Sequence, residues 1–399
     1  MGLEGNRSTE RTLTTHVGSL IRPDDLVAAL QTRRQGGGPS DDAFDGLLSR
    51  SVETIVRQQA ETGIDVVSDG EFGKTISWSR YILERLDGFE DRPLPETAPP
   101  RPLGPRTDIE RFPEFYAEYN STQGFEEVMR NPVCVGPISY AGQAALQRDI
   151  ANFTLGLAAA RAAGHDVVGF LPVVAPASVA YKRQDVYYAS EEEYVHAVAA
   201  ALHEEYRAII DAGLMLQIDD AHLPMMYDNI VDPGTPDDFR AWARLRIDAL
   251  NHALDGIPPE RCRYHICWGS FNSPHVGDVP FKEIADLVLS VNVGAYAIEM
   301  ANPRHEHEWR VWGDVKLPAG KTIVPGVISH ATNVVEHPEL VAERLSRFAS
   351  LVGPENVAAG TDCGFAQGPY IQRVHPTIMW AKLAALAEGA ALASEREFA

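Results

Sequence analysis

The chain is poor in cysteine, poor in positive charge and free of long apolar runs, and each shortage excludes a class of protein. Four cysteines in 399 residues, Cys134, Cys262, Cys267 and Cys363, argue against a disulfide framework and leave metal binding or thiol reactivity open. Only 35 basic residues stand against 56 acidic ones, a formal net charge of -21, so the summed field repels nucleic acid and anionic membranes. No run of about 18 apolar residues occurs, and the opening MGLEGNRSTERTLTTHVGS lacks the apolar stretch of a secretory leader. The expectation is a soluble, cytoplasmic protein that works on small molecules, with homo-oligomerisation left open.

What is present is a globular composition, 45% hydrophobic and 23% charged, long enough for one large domain or two ordinary ones. Apolar, β-branched runs alternate with amphipathic or Ala-rich stretches. Candidate strands are Thr12–Gly18, Ile64–Asp69, Pro132–Ile138, Asp166–Val174, Met215–Asp219, Arg263–Trp268, Ala295–Met300, Thr322–Ile328 and Val357–Asp362. Helical patterns cover Asp42–Thr62, Glu191–Ala212, Pro236–Leu254, Phe281–Asn292 and Pro338–Leu351, and the Ala-rich Thr377–Ser394 reads as a final helix. This alternation predicts parallel pairing and an α/β fold, a (β/α)8 TIM barrel forming a single domain over residues 1–399. Nine candidate strands are one too many for eight, so one is expected outside the barrel. The Pro-rich tract DRPLPETAPPRPLGPR, Asp91–Arg106, breaks any helix and reads as part of an exposed insertion around 91–125.

In such a barrel the chemistry lies at the C-terminal ends of the strands. His265 and Cys267 in RYHICWG, Glu299 in AYAIEMANP and Cys363 in GTDCGF each sit at or just past the end of an apolar run. His265 and Cys267 are two apart on one strand, so their side chains share a face. Two thiolates, one imidazole and one carboxylate suit tetrahedral Zn2+, and one arm could yield to a substrate thiol. The competing reading makes the cysteines small buried hydrophobes and His265 a satisfied core histidine. His330 in VISHATN follows the run IVPGVI and could act as a general acid. The cluster His305, Glu306, His307 and Glu308 in NPRHEHEW could bind a second metal or gate a substrate; it reads more simply as a loop whose alternate residues line the pocket.

The segments TTHVGSL, VVSDGEFGK, VGPISY, LQIDDAHL, HICWG, AIEMANP, IVPGVISHATN with VEHPE, and GTDCGF follow one another nearly end to end. In that order and spacing the chain resembles the cobalamin-independent methionine synthase family, both its catalytic C-terminal barrel and the shorter single-barrel proteins related to it. The resemblance implies a zinc ion held by His265, Cys267, Glu299 and Cys363. It implies a homocysteine thiolate on that ion attacking the methyl group of a polyglutamylated methyltetrahydrofolate, a reaction of methionine biosynthesis. It further implies that Val17, Gly18 and Ser19, with Glu71 and Asp219, hold the carboxylate and ammonium of the amino acid. Asp219 and His330 are the catalytic candidates, and His16 and Trp268 are expected to face the same pocket. Ser19 reads equally well as a helix N-cap, and Asp219 with Asp220 as a solvated loop.

The chain also departs from the family. The family's proton-donating histidine falls one position later, where this chain has Ala331. There is no duplicated N-terminal barrel and no Lys/Arg-rich segment for glutamyl carboxylates, so the donor could be a methyl-folate or another methyl carrier. The same barrel type supports epoxyalkane:coenzyme M transferases. The alternative activity is therefore zinc-dependent addition of a thiol such as coenzyme M to an epoxide, with Arg304, Lys182 or Arg183 receiving the sulfonate.

Overall fold

The computed structural model describes residues 8–93, 105–122, 131–181, 183–231 and 233–398. The strands Val168–Val174, Met215–Asp219, Cys262–Ile266, Ala295–Ile298 and Thr322–Ile328 are buried along nearly their whole lengths. Burial on both faces is what a parallel sheet sheathed by helices imposes, and it explains why these runs are continuously apolar rather than alternating. They pair in that order, all parallel, with Val66–Val67 added at one end and Gly360–Thr361 at the other, giving a curled seven-stranded sheet. Thr15 bridges to Val66 and Thr14 to Ala359, so the segment before the first helix touches both ends of the sheet. The architecture is α/β and close to a TIM barrel.

The helices that cover the sheet start where the sequence supplies caps. Ser40 accepts the amide of Ala43 ahead of Asp41–Thr62, and Ser190 accepts that of Glu193 ahead of Glu191–Asp211. Thr235 and Asp238 form a reciprocal capping box, with Pro236 opening Pro236–Ala253. Acidic residues crowd the first turns of all three, where the helix dipole favours them. Gln143–Ala162, Phe281–Leu289, Pro338–Val352 and Pro376–Glu397 add to the cover. No described helix is long and apolar enough to cross a membrane.

The surplus strand is identified. Asn131–Tyr140 lies outside the parallel sheet, pairing antiparallel with Leu86–Arg92 and parallel with Gln184–Asp185 in a separate three-stranded sheet. Its burial is patchy and its middle carries Gly136 and Pro137. Opposite them the register slips between Asp87 and Phe89, around Gly88 at φ 95°, and Pro137 offers no N–H to the ladder there. Of the expected insertion around 91–125, residues 94–104 and 123–125 lie outside the described residues. Between them are the helices Arg106–Arg111 and Pro113–Thr122.

Candidate active site

The parallel register alone places most of the site. Asp219 pairs with His265 and Gln217 with Arg263 on adjacent strands, and His265 pairs with Ala297 on the next. The side chains at i and i+2 share a face, so Gln217 and Asp219 lie beside Arg263, His265 and Cys267. Beyond these strand ends opens a cavity of about 750 Å³, whose walls include Ser19, Glu71, Asp219, His265, Cys267 and Cys363.

One end of the cavity is a thiol-rich donor set. The ligand atoms of His265, Cys267 and Cys363 lie within 4.8 Å of one another, and the two sulfurs are 3.6 Å apart. The ring Nδ1 of His265 donates to the carbonyl of Ala297 at 3.2 Å, which fixes the tautomer and turns the Nε2 lone pair inward. Nε2 is buried and has no hydrogen-bond partner. Burial lowers the His265 pKa to about 3, so the imidazole is neutral, the form that coordinates a metal. The shared S–H bond with Cys363, reinforced by burial, raises the Cys267 thiol well above its ordinary value. Only a strong local positive charge would hold it as thiolate. This set fits a thiophilic dication.

Glu299 lies in an adjoining group with His330 and Asp362, again with ligand atoms within 4.8 Å of one another. Its carboxylate accepts the backbone N–H of Trp268 at 3.0 Å and the amide of Asn302 at 3.0 Å. Burial raises its pKa, opposed by His275 and His305. Asp362 accepts the amides of Met300 and Ala301 on one oxygen, at 2.9 and 2.7 Å. Burial, then the nearby Glu299, raises it well above the carboxylate range. His330 is buried, neither ring nitrogen has a hydrogen-bond partner, and burial holds it well below its ordinary value.

The other end is acidic and tightly wired. Arg263, fully buried, donates from Nε to Gln217 at 2.6 Å, to the Thr15 hydroxyl at 2.8 Å and to the His16 carbonyl at 2.6 Å. Gln217 donates in turn to Asp219 at 2.7 Å and to the Val17 carbonyl. Glu71 is held in a left-handed backbone conformation, φ 62°, with its amide on Asp69 at 2.8 Å and Lys74 Nζ 3.5 Å from its carboxylate. Positive φ in a glutamate is strained and clusters at functional positions. Burial raises both acids, and Glu71 pushes Asp219 up further. An ammonium between them would relieve that repulsion.

The other expected positions divide. Ser19 and Val17 line the cavity; Gly18 sits between them at φ 124°, where a Cβ would meet the Pro172 ring at 2.6 Å. His16 does not face the pocket: its Nε2 meets Gln59 at 2.7 Å and its Nδ1 accepts the Gly18 amide at 3.1 Å. Trp268 also points away, its indole N–H on the Val279 carbonyl at 2.8 Å, and His330 lies off the cavity wall. The 305–308 cluster is not a pocket-lining loop. His305 and Glu308 are buried against Trp268 and Phe281, and Glu306 pairs with Arg344 at 3.0 Å. Arg183 lines the cavity, Arg304 donates to the His275 carbonyl, and Lys182 lies outside the described residues.

Sequence reasoning missed the aromatic wall, in which His222 stacks between Tyr181 at 3.9 Å and Trp78 at 5.4 Å, because no local spacing joins those residues. It also missed Arg263 and Gln217, whose signal was available: a cation and an amide inside otherwise apolar parallel strands.

No family model matches the chain. The uncharacterized protein YxjH of Bacillus subtilis (strain 168) is 26% identical over 386 residues, 92% of this chain and 91% of that protein. A methionine synthase of Sulfolobus acidocaldarius is 22% identical over 354 residues, 88% of this chain and 85% of its own length. The 5-methyltetrahydropteroyltriglutamate–homocysteine methyltransferase of Thermotoga petrophila matches 73% of this chain at 24% identity, but only 33% of its own length. The fold is shared with a B12-independent methionine synthase from Shewanella sp. W3-18-1, solved with selenomethionine. Its TM-score is 0.70 at 19% identity, over 97% of this chain and 98% of that one. Relatives matched over most of the chain, together with this fold, agree with the order of the motifs: the chain is similar along nearly its whole length to proteins named methionine synthase and shares the fold of B12-independent ones.

Proposed function

We propose that the protein is a zinc-dependent homocysteine S-methyltransferase of the methionine synthase type, working in a closed eight-stranded barrel whose eighth stave is the Leu13–Thr15 segment. The single observation that carries the reading is the cavity's two-ended floor: a cysteine pair with an inward-facing imidazole nitrogen at one end, two buried carboxylates at the other. An amino acid bearing a short thiol arm would bridge those ends. The acid pair favours an ammonium over the sulfonate of the epoxide reading. Methionine synthase relatives and the shared fold support the same assignment.

His265, Cys267 and Cys363, with Glu299 from the adjoining group, would hold the zinc ion. Bound there, zinc would supply the charge that keeps a substrate thiol deprotonated near neutral pH. Asp219 and Glu71 bind and orient the ammonium group, and Arg263 and Gln217 hold Asp219 in place. Trp78 and Met225, packed against Ala221, Cys267 and Cys363, give the sulfur end an apolar wall. Methyl transfer then forms a sulfur–carbon bond as the bond from methyl to donor breaks, and the donor's leaving atom takes a proton.

The test is metal analysis combined with calorimetric titration of homocysteine in buffers of different ionisation enthalpy. One zinc per chain, with about one proton released per homocysteine bound, supports the assignment. Binding without proton release, or equal binding in the metal-free protein, would remove the zinc-thiolate step.

A further inference from the structure

The cluster His275, Asp278, His305 and Glu308 lies outside the cavity wall and belongs to none of the roles above. His305 is 3% exposed. Its Nδ1 is 2.7 Å from a Glu308 oxygen and its Nε2 is 3.0 Å from an Asp278 oxygen. Carboxylates only accept, so both ring nitrogens carry hydrogens and the ring is an imidazolium. His275 is bonded in the same manner, Nδ1 to the same Asp278 oxygen at 2.8 Å and Nε2 to the Phe271 carbonyl at 3.0 Å. The cluster is anchored on both sides. Asp108 accepts the amides of His275, Val276 and Gly277 at 2.7, 2.8 and 3.2 Å, which holds His275 at φ 55°. Glu308 accepts the amide of Phe281 at 2.6 Å.

His305 reaches the donor set by two routes. Its ring lies flat on the indole of Trp268, centroids 3.7 Å apart and planes 16° from parallel. Trp268 follows Cys267 in the chain and gives its backbone N–H to Glu299. By the second route, the backbone amide of His305 donates to the carbonyl of Asn302 at 2.8 Å, and the Asn302 side chain donates to the other Glu299 oxygen. Both hydrogen bonds that orient Glu299 thus come from residues that His305 braces. Two thiolates and a carboxylate carry three negative charges against two on a divalent ion, and a fixed cation behind them offsets the excess.

We propose that His305, clamped between Asp278 and Glu308 and stacked on Trp268, is a positioning residue that sets the orientation of Glu299 and of the Cys267 segment for metal binding. The inference rests on the metal reading above, and the test separates the two. Zinc affinity is measured by competition with a chromophoric chelator, and the cobalt-substituted protein is followed by its thiolate-to-cobalt charge-transfer and ligand-field bands. The variants are His305→Phe, which keeps a ring on Trp268 but loses both N–H donors and the charge, and Asp278→Asn. Both are expected to weaken zinc by about 10–100-fold, as loss of groups behind metal ligands does, and to shift the ligand-field bands of cobalt while circular dichroism stays native. If His305→Phe fails to fold, Asp278→Asn alone carries the expectation. Zinc affinity within about twofold of the parent, with unchanged cobalt bands and only a lower melting temperature, would reduce the cluster to a structural support. A parent protein that takes up neither zinc nor cobalt would overturn the metal reading itself.

Discussion

The two ends of the cavity solve the problem of burying polar groups in opposite ways. At the acid end the groups are tied to the protein: Arg263 bonds to Gln217, Thr15 and His16, Gln217 bonds to Asp219, and Lys74 ion-pairs with Glu71 at 3.5 Å. At the thiol end the two sulfurs share a weak hydrogen bond and the His265 Nε2 has no hydrogen-bond partner. A buried polar atom without a partner costs free energy unless something else binds it. Two histidines make the contrast sharp. Burial lowers both His16 and His265, to about 4 and about 3, yet His16 spends both nitrogens on Gln59 and Gly18. What distinguishes the candidate ligand His265 from the core His16 is therefore its unspent nitrogen, not the burial or the shifted pKa.

The largest expected break in the comparison is at the thiol end. Cys363→Ser removes one of the two sulfurs while changing side-chain volume little. Zinc content should fall to background and methyl transfer by more than about 100-fold, with the fold intact, because ligands from distant strands bind as one set. Stoichiometric zinc and full activity in that variant would take the ion out of the chemistry.

A smaller effect is expected at the acid end, and it should be selective. Asp219→Asn deletes a charge-assisted contact to an ammonium worth about 1.5–3 kcal/mol, roughly 10–100-fold in affinity. The Michaelis constant for homocysteine should rise by that factor, while that for a thiol without an ammonium group should barely move. Equal losses for both thiols would show that Asp219 supports the strand end rather than reading the substrate.

Most of the fold was legible because parallel strands buried on both faces must be apolar throughout, and that signal survives in one sequence. Asn131–Tyr140 misled because a half-buried strand in a small outer sheet carries the same β-branched residues; the Gly136–Pro137 pair was the hint. At the site, His265, Cys267 and Cys363 were legible since strand-end position and donor chemistry coincide in each. The placement of His16, Trp268 and the 305–308 cluster was not, because spacing along the chain gives the face of a strand but not the direction a loop turns. His305 meets Trp268 from 37 positions away, a distance over which no local pattern acts.

The smallest expected effect tests whether the charged cluster behind the thiol end is wired like the acid end. Burial alone would lower His275 and His305, but their bonds to Asp278 overcome it and raise each to about 9. A raised folded-state pKa stabilises the native protein fully below the unfolded value near 6.5, and that contribution is lost as pH rises through about 9. Asp278, Glu308 and Glu299 act on the rings, Asp108 and Arg304 bind the His275 backbone, and Asp278 is lowered from its ordinary value by its bonds to the two rings, which outweigh burial. Zinc-loaded protein should therefore lose melting temperature steadily from pH 6.5 to 9. In His275→Gln one of the two contributions is gone, so the slope should flatten while the low-pH value drops. A parent with a flat profile over that range, or a variant with an unchanged slope, would mean that the rings are neutral in the folded state. The thiol end would then have no fixed cation behind it.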